Sequence, residues 1–121
     1  MYVSVRGWLE IDRGQRDEVR GVIENHRGRT CAERWIFPES TGSGYCIFYG
    51  ASLREGCEVE LRALIAEVAR LPRLDAFFDD RPAGQFLLSD ERQQSWMWVV
   101  HKGAIHDVSP PTALHEMMIR Q

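Results

Sequence analysis

Tyr2-Val3-Ser4-Val5-Arg6-Gly7-Trp8-Leu9-Glu10-Ile11 alternates strictly. It sets Val3, Val5, Gly7, Leu9 and Ile11 on one face of an extended chain and Tyr2, Ser4, Arg6, Trp8 and Glu10 on the other. This is the pattern of a half-buried strand, and the change of period after it decides the fold. Asp12 stands as a candidate N-cap with Gln15 three residues on, and Val19, Val22, Ile23 and His26 recur at helical spacing until Gly28. The spacing predicts a helix over residues 14–26, with a mixed-sign outer face of Arg16, Asp17, Arg20, Glu24 and Arg27. Gly21 weakens that helix and is expected to permit close packing.

Working outward, residues 33–37 and 45–50 read as a hairpin. The linker Pro38-Glu39-Ser40-Thr41-Gly42-Ser43-Gly44 is dense in turn formers. Ser52-Leu53-Arg54-Glu55 has the form of a capping box, so a second helix is expected from there. Leu61, Leu64, Ile65, Val68 and Leu71 supply its apolar stripe, Glu58 and Arg62 an i,i+4 pair, and Pro72 its stop. After an irregular segment, 73–82, strands are expected at 85–90, 95–101 and 104–108, with a tight turn at Lys102-Gly103 and an amphipathic helix in the tail 112–121. The order strand, helix, strand, strand, helix, strand, strand predicts an α+β fold. Its expected form is one antiparallel sheet with two helices on one face, the ferredoxin-like β-α-β-β-α-β core, extended by a C-terminal hairpin strand and tail.

Composition bounds the function. The chain has 121 residues, 44% hydrophobic and 27% charged, which suits a single domain. Apolar runs reach about five residues, far short of a spanning helix, and no secretory signal pattern is visible. Cys31, Cys46 and Cys57 form neither a CxxC nor an even set, so a reducing, cytoplasmic setting is expected. A net charge of −3 argues against general nucleic-acid binding. The skew of 14 arginines to one lysine carries no functional reading.

Chemistry-bearing residues are sparse. His26, His101, His106 and His115 fall on four different expected elements without metal-ligand spacing, and no metal or cofactor is expected. No GxSxG, Walker or GxGxxG motif occurs, and Gly42-Ser43-Gly44 reads as a flexible turn. Cys46 lies in an apolar run and reads as a small core residue, whereas Cys57 in the first turn of the second helix is the thiol to test for reactivity. No catalytic residue is assigned. Asp75, Asp79 and Asp80, with Glu91, are the clustered carboxylates outside the helices, and they share a loop with Phe77 and Phe78. Their spacing matches no calcium loop; acids around aromatics suit a protein-binding surface. Trp8, Trp96 and Trp98 are expected to share in an aromatic sheet face, open or covered by the tail.

Val3-Ser4-Val5-Arg6-Gly7-Trp8-Leu9-Glu10, Phe48-Tyr49-Gly50 with Arg54, Ala69-Arg70-Leu71-Pro72 and Trp96-Met97-Trp98-Val99-Val100 together resemble a family of small bacterial proteins associated with immunity proteins of polymorphic-toxin and contact-dependent inhibition systems. The resemblance covers most of the chain through structural motifs. It implies a small cytoplasmic protein that neutralises a toxin by covering its active surface. The expected function is thus non-enzymatic protein binding, with Asp75, Asp79 and Asp80 pairing with basic groups and Phe77, Phe78, Trp8, Trp96 and Trp98 as anchors. The alternative is a small-molecule-sensing or regulatory ferredoxin-like domain acting as a homodimer. Neither reading involves a membrane or general nucleic-acid binding.

Overall fold

The computed structural model describes residues 1–39 and 44–119. Six strands, β1 (Tyr2–Ile11), β2 (Trp35–Ile36), β3 (Tyr45–Arg54), β4 (Ala83–Asp90), β5 (Ser95–His101) and β6 (Ala104–Val108), are accompanied by helices α1 (Arg16–Glu24), α2 (Cys57–Ala69) and α3 (Thr112–Ile119). The strands form one sheet in the order β2-β3-β1-β4-β5-β6, antiparallel throughout. The α+β architecture expected from the sequence is present.

The alternation of β1 holds along its length. Val3, Val5, Leu9 and Ile11 enter a core completed by Tyr45, Ile47, Tyr49 and Leu53 of β3, Phe86 and Leu88 of β4, and Trp98 and Val100 of β5. Val19 and Ile23 of α1 and Leu61, Leu64, Ile65 and Val68 of α2 cover this face. Gly7 belongs to it because Phe86 lies directly over it: a Cβ at residue 7 would stand 2.3 Å from Phe86 Cδ1. Gly84, in turn, lets β4 approach β1, since a Cβ there would meet the Trp8 carbonyl oxygen at 2.0 Å. Helix α3 forms in the tail, where an amphipathic helix is expected, with residues 120 and 121 outside the described residues; it lies against the other face, where Met118 borders the same cavity as Tyr2, Ser4, Ser52 and Ser89.

Several local expectations are corrected. The Ser52-Leu53-Arg54-Glu55 stretch does not cap α2: β3 continues to Arg54, opposite Tyr2, and buries Leu53. Ten-residue pairing with β1 outweighs the local cap, and α2 starts after Gly56, whose φ of 101° needs glycine and whose N–H donates to Glu58. Asp12 does cap a 3-10 turn by accepting from Gly14 N–H, but Gln15 does not reach back; it is buried and donates to the Pro72 carbonyl. Arg62 pairs with Asp107 of β6 at 3.0 Å instead of Glu58. Strand β2 is only two residues long, because residues 30–32 form a 3-10 turn tied down by Trp35 Nε1 donating to the Cys31 carbonyl. Gly21 faces open space, with nothing near the position of a Cβ, so close packing does not explain it. The Lys102-Gly103 turn forms as expected, with positive φ at both residues. Of the Gly42-Ser43-Gly44 turn, Gly42 and Ser43 lie outside the described residues.

Candidate functional site

Residues 73–81 form a loop held in shape by its own polar groups. Asp80 accepts from the backbone N–H of Leu74 and of Asp75, each at 2.9 Å, closing the loop end to end. Asp75 Oδ1 accepts from Phe77 N–H at 2.7 Å and Phe78 N–H at 3.2 Å. The Arg73 guanidinium donates to the Ala76 and Phe78 carbonyls. Arg81 grips Asp79 through Nε and Nη2 at 2.8 and 2.7 Å, a bidentate pair. These bonds carry electrostatic signatures. The Arg81 fork holds the Asp79 carboxyl well below the usual carboxylate range, the two phenylalanine amides lower Asp75, and Asp79 in turn raises Arg81.

The product of this bracing is a tip that presents apolar surface to water. Phe77 is 90% and Phe78 73% exposed. A bare polar loop needs no such framework, and two adjacent phenyl rings left in solvent forgo about 1.5–3 kcal/mol each that burial would supply.

Beside the tip lies a cleft of about 250 Å³ bordered by Glu10, Asp12, Asp79, Asp80 and Arg81. Four carboxylates face one guanidinium, so its field is negative. The cleft joins the part of the second sheet face that α3 leaves exposed, because Trp8 sits two residues before Glu10 on the same side of β1 and is exposed. Strand register lines up Ile36, Phe48, Trp8, Gln85, Val99 and His106 across all six strands on that face. Ile36, Phe48 and Trp8 are exposed.

The expected site residues therefore divide. Phe77, Phe78, Asp75, Asp79 and Asp80 are brought together, and Trp8 stands on the neighbouring open face. The aromatic-face expectation is corrected for Trp96 and Trp98. They do share a face, but Trp96 pairs with Leu88 and Trp98 with Phe86, on the helix-covered side. Trp98 is 3% exposed, and the Trp35, Phe86 and Trp98 rings pack edge to face or tilted. Alternation fixed their common side and left open which side the helices would cover. Glu91 does not join the acidic loop; it accepts from Tyr2 N–H at the opposite end of β1. Asp75, Asp79 and Asp80 also brace the loop itself through their hydrogen bonds, a role the sequence does not announce. Sequence reading missed Phe48, Ile36, Glu10 and Asp12. The signal for Phe48 was the alternation of Tyr45, Ile47 and Tyr49, which turns Cys46 and Phe48 outward.

Other chemical groups have structural roles. His26 Nε2 meets Glu67 Oε1 at 3.1 Å and ties the end of α1 to α2. His115 Nδ1 is hydrogen-bonded to Ser95 Oγ, docking α3 on β5. His101 and His106 are not directly opposed, pairing with Ala104 and Val99. Cys46 is half-buried on the open side rather than in the core, and burial pushes its thiol up, as it does for Cys31. Cys57 is half-buried in the first turn of α2. Among the described residues no group of three His, Cys, Asp or Glu is placed to hold a metal ion, and no helix is long and apolar enough to cross a membrane.

Comparison with family models, curated proteins and solved structures returned no match. Fold and site by themselves define the class: an α+β protein with a six-stranded antiparallel sheet and three helices, carrying a braced aromatic loop beside an acidic cleft.

Proposed function

We propose that the protein is a non-enzymatic protein-binding module whose anchor is the Phe77–Phe78 tip. The observation that carries this reading is the pairing of high exposure with internal bracing: two phenylalanines stand in water on a loop whose carboxylates and arginines fix its backbone. A preorganised aromatic anchor loses little entropy on docking and supplies the large buried area typical of interface hot spots. The cleft of Glu10, Asp12, Asp79 and Asp80 selects a partner with basic side chains beside an apolar groove, and speeds encounter with it. Trp8, Phe48 and Ile36 extend the contact onto the sheet.

The finer reading is an immunity-type protein of the cytoplasm that covers the active surface of a basic bacterial toxin. The acidic cleft and the sequence resemblance support it. The order β2-β3-β1-β4, with α1 and α2 on one face, supports a ferredoxin-like core to which β5, β6 and α3 are added. Affinity capture with tagged wild type and with a Phe77→Ser/Phe78→Ser variant tests the reading. A stoichiometric partner held by the wild type and lost by the variant is expected, with suppression of that partner's toxicity on co-expression. A partner retained equally by both refutes the anchor.

The exposed Ile36-Phe48-Trp8 stripe favours a second reading, a homodimeric sensor domain joined through sheet faces. Sedimentation equilibrium separates the two: a stable dimer weakened by Trp8→Ser and untouched by Phe77→Ser supports this reading over the first.

A further inference from the structure

Strand register brings four serines into one row across four neighbouring strands. Ser52 of β3 pairs with Ser4 of β1, Ser4 with Ser89 of β4, and Ser89 with Ser95 of β5. The next row of this face is Gly50, Arg6, Leu87 and Met97, and the one beyond it holds Phe48, Trp8, Gln85 and Val99, so the hydroxyls are confined to a single row. The Ser95 hydroxyl is engaged by His115. The other three floor a cavity of about 390 Å³, of a size that holds a small ligand.

The walls define the ligand's chemistry. Tyr2 stands at the sheet end with its ring half exposed, and Met118 closes the opposite side from α3. Glu91 and Gln93 supply planar polar groups from the β4–β5 turn. Asp90 also borders the cavity, but it lies opposite Val3 on the core face and its carboxylate accepts from Arg92 and Gln94 N–H within the turn. Glu91 Oε1 accepts from Tyr2 N–H. The Glu91 carboxylate and the Gln93 amide suit vicinal hydroxyls, the serine hydroxyls add donors and acceptors, and the Tyr2 ring suits the C–H face of a saturated ring. Among the described lining residues the charged side chains, Asp90 and Glu91, are both acidic, which disfavours a phosphate or carboxylate ligand.

We propose that this cavity binds a pyranose sugar, neutral or amino-substituted. The site is separate from the Phe77–Phe78 tip, since Ser4 and Glu10 are six residues apart along β1, about 20 Å, and it stands whether or not the binding-module reading does.

The test is an amide-resolved NMR titration of the full chain with methyl glucoside and with glucosamine, and with inorganic phosphate for comparison. Either sugar is expected to shift the Ser4, Ser89 and Glu91 amides with a dissociation constant of about 1–10 mM, while phosphate leaves them unmoved. A Ser4→Ala/Ser89→Ala variant weakens binding about tenfold, and Tyr2→Ala, at an exposed position that does not threaten the fold, does so several-fold. Absence of sugar-induced shifts up to about 50 mM overturns the proposal. So does binding unaffected by both variants, or equal binding of phosphate.

Discussion

Replacing Tyr49 by Phe takes one oxygen out of the core and nothing else. The residue is 3% exposed, and its hydroxyl has no hydrogen-bond partner among the described residues. The ring itself packs on Trp35 with centroids 4.9 Å apart, a contact that phenylalanine keeps. A hydroxyl desolvated without a partner costs about 1–3 kcal/mol, so Tyr49→Phe is expected to raise unfolding free energy by about 1 kcal/mol or more near neutral pH. Burial also pushes the phenol from 10.0 up to about 12, with Cys31 a lesser contributor. The unfolded chain ionises near 10 while the folded one keeps its proton to about 12. The contribution is therefore intact below pH 10 and lost as pH rises through that window, roughly 2–3 kcal/mol in all. The variant lacks this loss. Urea melts of both proteins at about pH 7 and about pH 11 measure both effects, and the stability gap should widen in alkali. Destabilisation of the variant by about 1 kcal/mol near pH 7, or parallel alkaline losses in both proteins, would refute the reasoning by showing that the hydroxyl is bonded or wet.

Four further outcomes are expected. Gly21→Ala, in an exposed stretch of α1 with open space around it, raises stability by about 1 kcal/mol in the same melts. Gly84→Ala acts oppositely and lowers it by about 1–3 kcal/mol or more, because the clashing atom is the Trp8 backbone oxygen. Asp80→Ala releases the loop closure: hydrogen exchange at the Leu74 and Asp75 amides accelerates while that at core amides such as Leu88 is unchanged. The Asp79 carboxyl, lowered by Arg81, contributes stability above the ordinary carboxylate range and loses it on acidification; carbon-detected NMR should place its midpoint below the usual carboxylate range, and Arg81→Gln should return it toward the usual value.

How much of this was legible in the chain depends on the range of the interaction that fixed each element. The β1 alternation and the Leu61-to-Val68 stripe declared themselves because burial repeats with the period of the backbone. The end of β3 was misread because Ser52-Leu53-Arg54-Glu55 satisfies a local helix-start rule, whereas its strand conformation is imposed by residues some fifty positions earlier. Arg62 was misassigned for the same reason, its partner Asp107 being distant in sequence. At the candidate site, Phe77 and Phe78 were identifiable as aromatics in an irregular, charged segment. The roles of Asp75 and Asp80 were not, since a carboxylate that braces a backbone and one that meets a partner have the same sequence signature. The serine row was invisible for a plainer reason: Ser4, Ser52, Ser89 and Ser95 become neighbours only when three strand registers are known together.

The distribution of the four indoles makes the protein its own optical probe. Trp98 lies among Phe86 and aliphatic side chains, Trp35 and Trp96 are half-buried, and Trp8 stands on the open sheet. Light emitted from the first three will shift to the red on unfolding, while Trp8 already emits from a wet environment and is the one that a soluble quencher reaches. A complex formed over the open face will shield Trp8 and leave the interior emission unchanged. Docking there and global melting can thus be distinguished in a single cuvette without any label.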